Sequence, residues 1–283
     1  MKTVSTQPSA HTITRNAGTN FYYSFLLLSH ERRQAIETIY AYCRLIDDIV
    51  DDKSVDNPRG ELAKWRDEIA RCYESSPKTK IGQSLRRTVE TFSIPRQYLE
   101  ALITGMELDL QKTRYETFDE LEKYCYLVAS IVGLICIEIF GYKHASAKEY
   151  AINLGKALQL VNIIRDVKED ASYNRIYLPA EDLRRFRYSE NELFESVYNT
   201  CFIELMSFQA ERALGYFKAA RQALHAEDRP NMLAAEAMAE IYLSILQNIK
   251  RAQYNVFSNS FKPGKLKKAS LALKVWVRSL LRG

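Results

Sequence analysis

Two pairs of aspartates stand four residues apart in this chain: Asp47 and Asp51 in Arg44-Leu45-Ile46-Asp47-Asp48-Ile49-Val50-Asp51-Asp52, and Asp166 and Asp170 in Asn162-Ile163-Ile164-Arg165-Asp166-Val167-Lys168-Glu169-Asp170. On an α-helix such residues project from one face, with Cβ atoms roughly 5–6 Å apart. Two carboxylates at that range repel by roughly 3 kcal/mol at an effective dielectric of about 20. An arginine within three positions of each pair, Arg44 or Arg165, offsets part of that charge. A bound divalent cation would offset the rest. Mg²⁺ suits the pattern, because it takes one or two carboxylates and leaves its other positions to water and phosphate oxygens.

An acidic run is most often a solvated helix end, so the flanking periodicity decides. Ile36, Ile39, Tyr40, Cys43, Ile46 and Val50 recur with the spacing of a core-facing helix. Tyr40, Arg44, Asp47 and Asp51 run along one edge of that stripe, so the first pair faces inward or into a cleft. The second segment is apolar on nearly every side from Ala151 to Val167, which marks a buried helix. Gln159, Asn162, Asp166 and Asp170 nevertheless form one polar line along it. Burying such groups without partners costs several kcal/mol each. The line therefore points to a wet or metal-filled cavity, with a purely structural hydrogen-bond network as the alternative.

Carboxylates and arginines inside an apolar helical bundle suit a diphosphate ester with a hydrocarbon tail. Arg44 and Arg165 would bond phosphate oxygens, and Arg175, in the helix-breaking stretch Asn174-Arg175-Ile176-Tyr177-Leu178-Pro179, could close over the anion as a flap. Loss of diphosphate leaves a carbocation, which needs dry walls and aromatic faces. Phe21, Tyr22, Tyr23, Phe25, Tyr40, Tyr124, Tyr126 and Tyr242 are available. Neither GxGxxG nor GxxxxGK[ST] occurs, which argues against a Rossmann site or a P-loop. The four histidines lie off the patterned faces, and no Cys/His cluster has zinc spacing.

One all-α domain is expected to carry these groups. Helices are predicted near 30–52, 59–75, 80–91, 95–112, 118–141, 147–170, 190–225, 231–256 and 264–281. Capping boxes are expected at Thr117–Glu120, Ser146–Glu149 and Ser189–Glu192. The five scattered cysteines read as buried thiols of a reducing compartment. The most apolar stretch, Leu127 to Tyr142, reads as too short to span a bilayer, and no signal peptide is evident. The net charge of +5 hides an asymmetry: residues 241–283 hold nine basic residues and no acid, against 31 basic and 35 acidic elsewhere. No nucleic-acid motif accompanies the basic tail. Its helix places Ala269, Leu273, Trp276, Val277 and Leu280 on one face and Lys267, Lys274 and Arg278 on another, a pattern suited either to an anionic membrane surface or to packing on the bundle.

The segments Tyr40–Asp51, Tyr124–Gly133 (Tyr-Cys-Tyr-Leu-Val-Ala-Ser-Ile-Val-Gly) and Leu154–Asp166 (Leu-Gly-Lys-Ala-Leu-Gln-Leu-Val-Asn-Ile-Ile-Arg-Asp) together resemble squalene/phytoene synthases, over roughly residues 18–275. The resemblance implies the isoprenoid-synthase helical bundle with a central cavity, and a Mg²⁺-dependent head-to-head joining of two prenyl diphosphates through a cyclopropyl intermediate. Gly18–Phe25, the Val-Ala-Ser-x-Val-Gly form at 128–133, Ile139-Phe140-Gly141 and Leu271–Trp276 favour the bacterial branch that makes presqualene diphosphate from farnesyl diphosphate for hopanoids. The phytoene branch, using geranylgeranyl diphosphate, is the alternative. A non-catalytic relative on the same fold is expected to have lost acidic motifs, and both are present here.

Carried onto this chain, the resemblance implies metal ligands among Asp47, Asp48, Asp51, Asn162, Asp166 and Asp170, with Tyr126 beside the four paired aspartates as a catalytic group. Substrate contacts are expected from Phe21, Tyr22, Tyr40, Arg44, Gln159, Asn162, Arg165, Arg175 and Tyr242. Two departures stand out: Ser258-Asn259-Ser260 replaces an arginine common near position 260, leaving Lys262 or Lys265 to supply that cation, and the loop at 15–20 lacks the His and Lys of some carotenoid-type relatives. The expected organisation is a tail at 1–17, the helical domain at 18–262 and a basic amphipathic helix at 263–283. The expected location is the cytoplasm, peripheral at the inner membrane face, with downstream enzymes of squalene synthesis as partners.

Overall fold

The computed structural model describes residues 24–280, which fold as helices with no strand among them. The elements are α1 His30–Asp51, α2 Pro58–Glu74, α3 Lys80–Phe92, α4 Arg96–Asp109, α5 Phe118–Cys125, a π-helical turn Tyr126–Ser130, α6 Ile131–Phe140, α7 Ser146–Ser172, α8 Ala180–Arg185, α9 Glu190–Phe194, α10 Thr200–Ala223, a 3₁₀ segment Ala226–Met232, α11 Leu233–Arg251 and α12 Lys265–Leu280. The segment at 1–17 and the aromatics Phe21, Tyr22 and Tyr23 lie outside the described residues.

The all-round apolar pattern of α7 is matched by its position. It runs through the middle of the bundle and packs on α5, the π turn, α6, α9, α10 and α11. Gly155 is what brings α7 against the π turn: a Cβ there would lie 2.6 Å from the Ser130 Cα and 2.7 Å from the Ala129 carbonyl oxygen. Ser130 is fully buried, and its hydroxyl donates to the Ile152 carbonyl at 2.8 Å. The Val-Ala-Ser motif and Gly155 therefore serve close helix packing.

Several boundaries differ from expectation. The helix predicted over 190–225 is broken, because Ser196 takes a left-handed φ of 57° and Asn199 caps a new helix by accepting the Phe202 N–H. The short α8 follows Pro179 and was not expected. The Ser189–Glu192 box is complete. At Thr117 it is half made, since the Glu120 carboxylate goes instead to the Glu116 N–H. Ser146 makes no cap, because it is already the first helical residue. The apolar segment judged too short to span a bilayer belongs to a continuous 23-residue helix, Phe118–Phe140, long and apolar enough by length and composition to do so. It lies inside the bundle, packed on α4 and α7.

Candidate active site

A cavity of about 700 Å³ opens between α1, α4, the α5–α6 helix, α7 and α11, and its lining is graded from end to end. Along α1 the lining runs Ile36, Ile39, Tyr40, Cys43, Arg44, Asp47, Asp51; along α4 it runs Leu102, Met106, Asp109. α7 contributes Gln159, Asn162, Arg165, Asp166 and Asp170, while the α5–α6 helix runs the other way, from Tyr124 through Val128 and Val132 to Cys136. The polar residues thus collect at one end and the hydrocarbon at the other. The Cys43 and Cys136 thiols are both pushed up to about 12 by burial, so they act as apolar wall. A groove of about 720 Å³ between α1 and α3 has no comparable cluster of carboxylates.

The polar end is electrostatically unusual. Asp51 is the last residue of α1, Asp109 the last of α4, and Asp170 lies in the last turn of α7. Helix C-termini carry partial negative charge, so three of them add to the carboxylates they present. Burial, then the Asp51 carboxylate, push Asp47 up to about 6 although Arg44 pulls it down. Burial, then Asp166, push Asp170 up to about 7 against the pull of Arg175. Asp109 is also raised by burial, although Tyr124 and Tyr177 donate hydroxyl hydrogen bonds to it at 2.8 and 2.9 Å.

The basic groups partly answer this charge. Arg44 bridges Asp47 at 3.1 Å and Asp48 at 2.6 Å. Arg165 donates two bonds to Asp166, one at 2.7 Å, and sits beside Tyr242. Arg175 reaches from the post-α7 segment to Asp51 at 2.8 Å. That segment is no loose flap, because Ile176 donates its N–H to the Thr113 carbonyl and bridges Arg114. Arg175 therefore joins the two acidic helices from a fixed position.

Of the expected residues, Asp47, Asp51, Asp166, Asp170, Tyr40, Arg44, Gln159, Asn162, Arg165, Arg175 and Tyr242 meet at this cavity. Asp48 does not line it; its half-exposed side chain pairs with Arg44, which does. Tyr126 does not line it either. Cavity positions on that helix fall at 124, 128, 132 and 136, and Tyr126 packs half-buried against the core. Lys262 lines the opening and Lys265 does not.

Three polar lining groups were not singled out as site residues by the sequence: Asp109, Tyr177 and Lys268. Asp109 sits alone at the end of an ordinary amphipathic helix, with no paired partner to flag it. Lys268 lies in a run of lysines, and only the docking of α12 shows that it is buried, 7% exposed, among the cavity residues. Burial, then Arg165 and Lys265, lower its proton affinity.

The donor set at the polar end consists of oxygens. Asn162 Oδ1, one turn before Asp166, is shut off from solvent and has no hydrogen-bond partner. A hard divalent cation suits carboxylates plus an unpartnered amide oxygen, so the residues present fit Mg²⁺.

Graded helices around a cavity with acidic rims define the all-α isoprenoid-synthase fold. In fold this chain is similar to a dehydrosqualene synthase solved with a ligand, with TM-score 0.86 and 28% identity over 96% of this chain and 95% of that one. A squalene synthase from Alicyclobacillus acidocaldarius aligns with TM-score 0.78 and 25% identity, covering 87% of this chain and 93% of that one. The squalene/phytoene synthase family model matches residues 14–269, and the chain belongs to that family of prenyltransferase-type enzymes. It is 34% identical to a 15-cis-phytoene synthase of Synechocystis, covering 94% of this chain and 83% of the relative. It is 33% identical to a presqualene diphosphate synthase of Rhodopseudomonas palustris, covering 95% and 96%.

Proposed function

We propose that this protein condenses two farnesyl diphosphates head to head into presqualene diphosphate, releasing diphosphate and a proton, with Mg²⁺ as the cation. The observation that carries this reading is the convergence of both aspartate pairs at the polar end of a cavity whose far end is hydrocarbon. Asp47, Asp51, Asn162, Asp166 and Asp170 would hold the cation. When bound, Mg²⁺ supplies positive charge to the diphosphate oxygens and makes diphosphate a better leaving group.

The chain's own groups do the rest. Arg44, Arg165, Arg175 and Lys268 bind and orient the diphosphates through charge-assisted bonds. As the C1–O bond of the donor breaks, its electron pair leaves with diphosphate and positive charge develops on the prenyl chain. The faces of Tyr40, Tyr124, Tyr177 and Tyr242 border that charge. Ile36, Ile39, Leu102, Met106, Val128 and Val132 exclude the water that would quench it. Asp109, held by two tyrosine hydroxyls, fixes Tyr124 and Tyr177 in the wall.

A phytoene-forming reaction with geranylgeranyl diphosphate is the second reading, favoured by the likeness to phytoene synthases. Product analysis separates the two. Purified protein with Mg²⁺ should convert farnesyl diphosphate to presqualene diphosphate, with no squalene when NADPH is added. Turnover of geranylgeranyl diphosphate alone, giving phytoene, would overturn the assignment, and no turnover of either would favour a non-catalytic role.

We further propose that α12 docks on an anionic membrane at the cytoplasmic face, where a downstream squalene-forming enzyme could take the product. One face of α12 is buried through Lys268, Leu271, Ala272 and Val275. The face bearing Leu273, Trp276 and Val277 does not pack on the bundle: these are 57%, 44% and 41% exposed, and Leu266 is 88% exposed. Lys265, Lys267 and Lys274 flank them, and the helix has no acidic residue. An apolar strip edged by lysines complements an anionic bilayer surface.

A further inference from the structure

The loop entering α7 meets the 3₁₀ segment Ala226–Met232 at the opposite end of α7 from the aspartates. Ser146 and Asp166 are twenty residues apart, about 30 Å along a helix axis. The fully buried Asp228 staples the two pieces together. Its carboxylate accepts the backbone N–H groups of Lys143 at 2.7 Å and His144 at 3.1 Å. Asn231 adds a bond to the Gly141 carbonyl at 3.0 Å. These contacts hold the His144 backbone against the residues around Glu227.

Three side chains converge over that staple. One ligand atom from each of His144, His225 and Glu227 lies within 4.8 Å of the others. The imidazole rings are 3.6 Å apart at their centroids. His144 Nε2 is shut off from solvent and has no hydrogen-bond partner, and its nearest carboxylate oxygen, on Glu227, is 3.7 Å away. His225 Nδ1 accepts the Glu227 N–H at 3.3 Å and caps the 3₁₀ segment, which leaves its Nε2 and the unpartnered His144 Nε2 as ring nitrogens beside the Glu227 carboxylate.

We propose that His144, His225 and Glu227 form a second metal site that takes a zinc-class divalent ion and pins the α6–α7 loop to the 3₁₀ segment. Two imidazoles and one carboxylate leave a fourth position for water, a set that tetrahedral zinc accepts. Imidazole nitrogen favours zinc, nickel or copper, whereas magnesium prefers oxygen, so this site and the aspartate cluster select different ions. The ring planes stand 33° apart and must open for both to aim a lone pair at one ion. His225 and Glu227 are exposed and His144 is partly buried, so opening the rings costs little beyond the 3.3 Å bond from the Glu227 N–H to His225 Nδ1. The incoming ion displaces the Lys143 ammonium, now 3.4 Å from Glu227. The donors come from positions 144, 225 and 227, so no local sequence spacing could reveal them.

The test is calorimetric titration of the chelator-treated full-length protein with ZnCl₂ in excess Mg²⁺, with thermal unfolding followed in parallel. One zinc per chain is expected at micromolar affinity or tighter, with a rise in Tm. His144→Gln and His225→Gln should each weaken binding about tenfold or more and abolish the Tm rise, while both unfold normally without zinc. Asp47→Asn should bind zinc as wild type does. Binding weaker than millimolar, equal binding in the histidine variants, or loss of the zinc in Asp47→Asn would overturn the proposal.

Discussion

Replacing Asp170 by asparagine should stabilise this protein at high pH and leave it unchanged at low pH. Burial and Asp166 raise Asp170 to about 7, whereas an unfolded chain ionises aspartate near pH 3.9. Between about pH 4 and pH 7 the folded chain therefore binds more protons than the unfolded chain, and stability falls as pH rises through that window. A shift of about 3 pH units at 1.36 kcal/mol each gives about 4 kcal/mol for keeping the carboxylate ionised in a dry site. The cavity mouth admits water, and solvent screening reduces this to about 2 kcal/mol. Asparagine does not ionise and avoids that cost. At pH 3.5 the aspartate is neutral in the fold and mostly neutral in the unfolded chain, so the two side chains should be equivalent within about 0.5 kcal/mol. At pH 8.5 in EDTA the variant should gain about 2 kcal/mol, or roughly 5 °C in Tm. Mg²⁺ with inorganic diphosphate should raise the wild-type Tm and narrow the gap. Differential scanning calorimetry at the two pH values reads this directly. An equal gain at both, or none at pH 8.5, would refute the electrostatic account of the cluster.

Other perturbations reach different parts of the structure. Arg165→Lys and Arg44→Lys keep charge but lose the planar fork, and steady-state kinetics should show each lowering kcat/KM about tenfold or more. Gly155→Ala drives a methyl into the Ser130 backbone, and urea unfolding should show a loss of about 1–3 kcal/mol, typical of overpacking. Leu273→Glu with Trp276→Glu should abolish salt-sensitive binding to anionic liposomes while leaving turnover in detergent intact. Deleting residues 264–283 is a poorer test, because it also removes Lys268 from the cavity.

Much of this site was legible because a helix makes spacing into geometry. Asp47 with Asp51, and Gln159 with Asn162, Asp166 and Asp170, had to share faces once their segments were helical. The apolar wrapping of α7 showed that its polar line faced inward. What stayed hidden was tertiary. Asp109 and Tyr177 come together only because the post-α7 segment bridges to Arg114. Lys268 becomes a cavity residue only because α12 turns that side inward, and the same rotation leaves Trp276 outside. Tyr126 looked equivalent to Tyr124, yet the four-residue cavity spacing along the α5–α6 helix selects Tyr124 alone. Ser196 broke a long amphipathic pattern with one left-handed residue that no glycine or proline announced.

The central claim is that the paired aspartates hold the cation that makes diphosphate leave. Its most direct measurement is release of diphosphate from farnesyl diphosphate, with Mg²⁺ titrated over wild type, Asp47→Asn and Asp166→Asn. The account predicts no release without Mg²⁺, saturation in wild type, and a loss of about 10²–10³-fold or more in each variant, because stabilising the departing charge is the largest catalytic term. Release that persists in EDTA, or survives at the wild-type rate in either variant, would contradict it.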